Sequence, residues 1–117
     1  MKQGMITGRK NKYGNKKIKI DGITFDSKKE GSRFFDLKML QKAGEISDLE
    51  LQPKFEIIPG VKWNGKTLRK RSYIGDFLYK QNGLIIVEDV KGFRTPIYKI
   101  KRQLFLIQYP DFKFIES

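Results

Sequence analysis

YIGDFLYKQNGLIIVEDVKG, residues 73–92, is the stretch on which the rest of the chain can be laid out. Asn82-Gly83 divides it into two strand-like runs, and Asn-Gly is the dipeptide favoured by a two-residue type I′ hairpin turn. With those two residues as the loop, Gln81 pairs with Leu84 and paired residue numbers total 165. Asp76 then falls opposite Asp89 on one face, a placement that puts Cβ atoms about 4.5–5.5 Å apart. Lys91 shares that face, opposite Ile74, whereas Glu88 points the other way, opposite Phe77. Leu84, Ile85, Ile86 and Val87 are apolar on both faces, so this strand is expected at the centre of a sheet, covered on both sides.

Two like charges directly opposed in a central strand pair destabilise the sheet unless something offsets them. A shared proton, the Lys91 ammonium or a bridging divalent cation would each do so. A solvated strand end would need no offset. Oxygen-only ligands suit Mg²⁺ or Mn²⁺ rather than zinc.

Moving towards the N-terminus, Asn64-Gly65 is a second turn of the same kind. It predicts a meander of three strands over about 53–62, 67–80 and 84–91, with Pro53 facing Asp76 and Gln52 beside the acids, its role unassigned. SKKEGSRFFDLKMLQKAG, residues 27–44, reads as a helix: Ser27 with Glu30 fits a capping box and Gly44 a C-terminal stop. Glu30 has two readings. It completes the cap, or, lying on the side of Phe34 and Leu37, it reaches towards a metal. KIKIDGITF turns at Asp21-Gly22 as a further hairpin. On the C-terminal side, Thr95-Pro96 opens a second helix, along which Ile97, Ile100, Leu104 and Ile107 recur at helical spacing. Pro110 closes it, and FKFIE reads as a last strand. The expected fold is α/β: an αβββαβ core whose mixed sheet carries an antiparallel three-strand meander flanked by helices. Residues 1–17, with six Lys or Arg and no acid, read as a flexible basic arm before a single domain over 18–117.

Composition limits the chemistry. The chain of 117 residues contains neither cysteine nor histidine, which excludes thiolate and imidazole metal sites and the histidine-dependent nucleophile systems. Hydrolysis would have to rest on carboxylates, lysine and hard metal ions. A net charge of +12 attracts polyanions, most often nucleic acid. No apolar run reaches the ~18 residues of a membrane span, and no basic amphipathic helix with a broad apolar face stands out. The expected setting is therefore cytoplasmic, without a membrane partner.

Asp76 followed by EDVK, in αβββαβ order, resembles the PD-(D/E)XK nuclease superfamily. The wider text, including YIGDFLY, VEDVKG and TPIYKIKRQLF, resembles a phage-associated branch of it over about residues 19–116. The resemblance implies that Asp76 and Asp89 bind a metal, with the backbone carbonyl of Val90 as a further ligand. It implies that Lys91 is the motif lysine, and that Glu30 is the acid many members carry on the first helix, acting directly or through water. Gly75 departs from the pattern, which has proline before the first aspartate. The expected activity is Mg²⁺-dependent hydrolysis of DNA phosphodiesters (Mn²⁺ substituting), with Glu30, Asp76, Asp89 and Lys91 catalytic. Lys66, Arg69, Lys70, Arg71, Lys99, Lys101 and Arg102 are expected to contact phosphates. A chain this short has no large specificity domain. That favours recognition of branched DNA, as by a Holliday junction resolvase in phage recombination or replication, working as a homodimer in the host cytoplasm. The alternatives are a sequence-specific endonuclease and a non-catalytic nucleic-acid-binding protein.

Overall fold

The computed structural model describes residues 17–20, 22–90 and 93–117. The arm up to residue 16, the turn residue Asp21 and the Lys91-Gly92 pair lie outside the described residues. The architecture is mixed α/β: among the described residues there are two helices and ten strands in several small sheets, one of them a mixed sheet of four strands. The chain divides into two compact units, Met1–Met39 and Leu40–Ser117.

In the first unit, β1 (Ile18–Ile20) and β2 (Ile23–Phe25) form an antiparallel hairpin with Ile20 paired to Ile23. Helix α1 (Lys28–Lys42) follows. The Ser27 hydroxyl accepts the Glu30 amide at 3.1 Å, which satisfies one of the donors that a helix start leaves open. Phe25 packs on Phe34 at 5.0 Å between ring centroids, and Glu30, Gly31, Phe34 and Leu37 form the buried face of the helix. Helix α1 ends as expected at Gly44, whose φ is 81°. The Glu45 amide bonds to the Leu40 carbonyl at 2.9 Å and the Gly44 amide to that of Gln41 at 3.1 Å, the paired closure of a Schellman motif.

The second unit holds β3 (Ser47–Leu51), β4 (Lys54–Ile58), β5 (Val61–Trp63), β6 (Lys66–Leu68), β7 (Arg71–Ile74), β8 (Phe77–Gln81), β9 (Leu84–Asp89), α2 (Pro96–Gln108) and β10 (Lys113–Glu116). The main sheet runs β10-β9-β8-β3, with β10 parallel to β9 and the other pairs antiparallel. Strand β9 is therefore central, as its two-sided apolar run requires. Strand β3 was not foreseen: Ser47-Asp48-Leu49-Glu50-Leu51 has weak strand propensity, and it forms because β8 offers it an open edge.

The first two strands of the expected meander are broken, and the third runs unbroken as β9. Strands β5 and β6 turn at Asn64-Gly65, both at positive φ (52° and 73°), and pair Val61 with Leu68 and Trp63 with Lys66. The expected register holds to Ile58 opposite Arg71 and then slips by one residue, so that Glu56 faces Ser72 and Lys54 faces Ile74. One extra residue in a strand is a β-bulge, which bends the ribbon. The slip carries on through the next junction. The Gly75 amide donates to the Pro53 carbonyl at 2.9 Å and the Gln52 amide to the Asp76 carbonyl at 2.9 Å. Pro53 thus faces Gly75, and Gln52, rather than Pro53, faces Asp76.

Helix α2 packs on β4 and β7. Thr95 caps it, its hydroxyl accepting the Tyr98 amide at 3.0 Å, with Pro96 in the first turn. Its buried residues are Tyr98 and Phe105. The isoleucine row is not the inward one: Ile97, Ile100 and Ile107 are exposed, and only Leu104 of that series packs on the core. Aromatic rings took the inward face instead. Phe105 lies 4.9 Å from Phe55, 5.1 Å from Tyr73 and 5.3 Å from Tyr109 between centroids, and Val87 of β9 and Ile57 of β4 complete the cluster. Rings at these separations add about 0.5–1.5 kcal/mol per pair beyond the area they bury.

Candidate functional site

The Asn82-Gly83 turn forms with both residues at positive φ (53° and 79°), and the ladder runs from Gln81 opposite Leu84 to Phe77 opposite Glu88. It stops there, one pair short of the acids. The Asp76 amide donates to the Glu88 carbonyl at 3.0 Å, so Asp76 and Phe77 both face Glu88, and Asp76 is not the ladder partner of Asp89. The expected direct pairing is therefore corrected. Asp76 is still tied to the Asp89-Val90 segment, by another route. The Asp76 carboxylate accepts the Val90 amide at 2.6 Å, the residue directly after Asp89.

Tyr73, the last aromatic before the bend, marks the meeting point. Its hydroxyl donates to the Asp89 carboxylate. Burial first, then the charge and hydrogen bond of Asp89, then Tyr98 and Asp76 all push the Tyr73 phenol far above its ordinary value. One phenol thus lies within the field of both acids, and it stays a donor throughout the physiological range. Asp89 is 1% exposed, whereas Asp76 is half-buried, so the pair is approached from the Asp76 side. Gly75 explains its own departure from the expected proline. Its amide is engaged by Pro53, a bond proline could not make, and a Cβ there would lie 3.1 Å from Val87 Cγ1.

Beyond Asp89 the same face continues into Glu116, its neighbour in the parallel β9–β10 pairing. Glu116 accepts Tyr98 Oη at 2.5 Å, Arg102 at 2.9 Å and Arg94 at 3.2 Å. Burial alone would raise the Glu116 carboxyl. The hydrogen bonds from Tyr98 and Arg102 and the charges of Arg94 and Arg102 outweigh it and hold the group below the usual carboxylate range. Sequence reasoning missed Tyr73, Tyr98 and Glu116. Only the register across two bends and a parallel crossover brings them to the site, and no short motif encodes that.

The opposite face of β9 is different. Glu88 is fully buried and accepts Tyr79 Oη at 2.7 Å and Ser117 Oγ at 2.7 Å.

The other expected site residues are placed as follows. Glu30 is 8% exposed, on the face of α1 that also buries Phe34 and Leu37. Gln52, at φ 52°, bonds through its amide to the backbone of Asp76 and so helps hold the bend that carries it. Lys91 lies outside the described residues. Lys66, Arg69, Lys70, Arg71 and Lys99 are exposed, Lys101 is half-buried, and Arg102 is engaged by Glu116 and lies 5.6 Å from the centre of the Tyr98 ring.

Asp76, in the bend before β8, and Asp89, at the end of β9, are hard oxygen donors, oriented by Val90 N–H and Tyr73 O–H. Mg²⁺ keeps several waters and is commonly held by one or two carboxylates, so two acids fit it. Among the described residues no group of three or more acids is gathered to hold a metal ion. No helix of the described residues is long and apolar enough to cross a membrane.

No curated protein matches the chain. A family model described as "Protein of unknown function (DUF1064)" matches residues 10–116, nearly the whole sequence, and the chain therefore belongs to that family.

Proposed function

We propose that the chain is a metal-dependent endodeoxyribonuclease selective for branched DNA. The observation that carries this reading is that Asp76, in the bend before β8, accepts the Val90 amide while the adjoining Asp89 accepts the Tyr73 hydroxyl. Carboxylates brought near one another are costly to a fold and useful to a hydrolase. A bound Mg²⁺ would lower the pKa of a coordinated water and stabilise charge developing on the phosphate. Asp76 and Asp89 would hold it, with the Val90 carbonyl as a further ligand. The Val90 amide and the Tyr73 hydroxyl fix the two carboxylates in orientation. Lys91, in its motif position, would position the attacking water.

The charge of +12 supplies the attraction for DNA. Exposed Lys66, Arg69, Lys70, Arg71 and Lys99, with Lys101, would neutralise phosphates and contribute little to sequence reading. Arg102 would join them only by leaving Glu116. Cutting both strands of a junction symmetrically requires two copies, so the active form is proposed to be a homodimer, and a DNA substrate sets the work in the cytoplasm.

A cleavage panel tests the reading: four-way junction, flap, linear duplex and single strand, each with Mg²⁺ or chelator. Junction cutting that needs the metal and is lost in Asp89→Asn supports it. Cutting of linear duplex at fixed positions, with junctions ignored, would point to a sequence-specific endonuclease. A second reading has its own observation. Asp89 is buried and bonded to Tyr73, as a carboxylate serving only the fold would be. If the wild type binds every substrate and cuts none, the non-catalytic binder is the better account.

A further inference from the structure

Strands β5 and β6 form a two-stranded ribbon in which all six residues are exposed. Directly paired residues share a face, and alternate residues along a strand do too. Val61 opposite Leu68 and Trp63 opposite Lys66 therefore lie on one side of the ribbon. That side is apolar at Val61, Leu68 and Trp63, and no described residue covers it: Trp63 is 62% exposed, at the very turn. A bare tryptophan at the tip of a ribbon gains nothing for the fold, since the core cluster is built elsewhere.

The flanking charge identifies what it meets. From residue 57 to residue 75 there is no acid and there are five cations, Lys62, Lys66, Arg69, Lys70 and Arg71. A second copy of this surface would bring like charge against like. A polyanion with flat apolar faces would satisfy both the cations and the indole, and unpaired nucleic-acid bases have that character. A ribbon of two strands is also narrow enough to enter a groove. We propose that the β5–β6 hairpin is a recognition wedge, in which Trp63 stacks on an unpaired base at a DNA branch or gap while Lys62, Lys66 and Arg69 hold the adjoining phosphates. The proposal deepens the nuclease reading by naming the element that senses the branch, and it rests on that reading only for its choice of DNA.

Trp63 is the sole tryptophan, so tryptophan emission, excited beyond the tyrosine absorption band, reports on this residue alone. The experiment titrates the full chain, in chelator so that nothing is cut, with intact duplex, gapped duplex and four-way junction. The wedge predicts strong quenching by gapped duplex and junction and weak quenching by intact duplex. It also predicts that Trp63→Ala binds gapped duplex about tenfold more weakly or worse, with intact duplex changed less than about twofold, and that Trp63→Phe restores most of the loss. Absence of quenching by gap and junction, or equal weakening of all three substrates, overturns it. So does an emission change that follows protein concentration without DNA, which would make the ribbon a contact between copies. The wild-type titration needs no variant, so its outcome stands even if Trp63→Ala folds poorly. Cleavage with Mg²⁺ is scored separately. Quenching without cleavage keeps the wedge and removes the nuclease, whereas cleavage without quenching does the reverse.

Discussion

Glu88 and Asp89 are consecutive, both buried, and each accepts a tyrosine hydroxyl, yet they sit on opposite faces of β9 in different company. Glu88 accepts Tyr79 and Ser117, two neutral donors. Asp89 adjoins Val90, whose amide is held by a second acid, Asp76, in the bend before β8, with Glu116 and its arginines next along the face. The contrast separates a carboxylate that accepts two neutral hydroxyls from one that has a second acid bonded to the next residue. Burial and hydrogen bonding do not distinguish them. The neighbour does.

The sharpest way to break the comparison is to neutralise each acid in turn. Asp89→Asn keeps an oxygen for Tyr73 and should fold, but cleavage should fall on the order of 10²–10³-fold, the scale lost with one charge-stabilising group. Glu88→Gln should leave cleavage within about twofold and cost about 1 kcal/mol of stability, because an amide can still serve both hydroxyls by accepting one and donating to the other. Equal loss of activity in the two variants would erase the distinction.

Removing the tyrosine hydroxyls sharpens it further. Tyr73→Phe and Tyr79→Phe should each destabilise by about 1–3 kcal/mol, since each leaves a buried carboxylate without a donor it now has. Urea midpoints measure this. Only Tyr73→Phe should also change the affinity for Mn²⁺, because only that hydroxyl orients a proposed ligand.

A smaller effect concerns Glu116. Its carboxyl sits below the usual range when folded, so the stability it contributes is present above the unfolded value and is lost as pH falls through the folded one. Acid unfolding should therefore begin at a higher pH in Arg102→Met than in the wild type, because burial would then act on Glu116 with less to oppose it. Unchanged acid midpoints would mean that solvent already screens the pair.

Much of this was legible in the residues. Turn chemistry at Asn64-Gly65 and Asn82-Gly83 determined both hairpins, and the caps at Ser27, Gly44 and Thr95 placed the helix ends within two residues. What escaped was non-local. Register propagates faithfully from a turn only until a bulge, and bulges at Ile58 and Asp76 each moved the pairing by one residue. The isoleucine row of α2 matched a helical period but lost the core to Tyr98 and Phe105, whose rings met the aromatic side chains on β4 and β7. Periodicity shows that a helix has an apolar row and does not show which row is buried. Glu116 could be placed beside Asp89 only by a parallel crossover, for which no turn supplies a register.

The most direct test is a Mn²⁺ titration of the wild type, Asp76→Asn, Asp89→Asn and Glu88→Gln, followed by calorimetry. A single saturable site, abolished by either aspartate substitution and kept in Glu88→Gln, is the predicted result. Binding that survives both aspartate substitutions, or that fails equally in Glu88→Gln, would contradict the assignment of these two acids as the metal ligands.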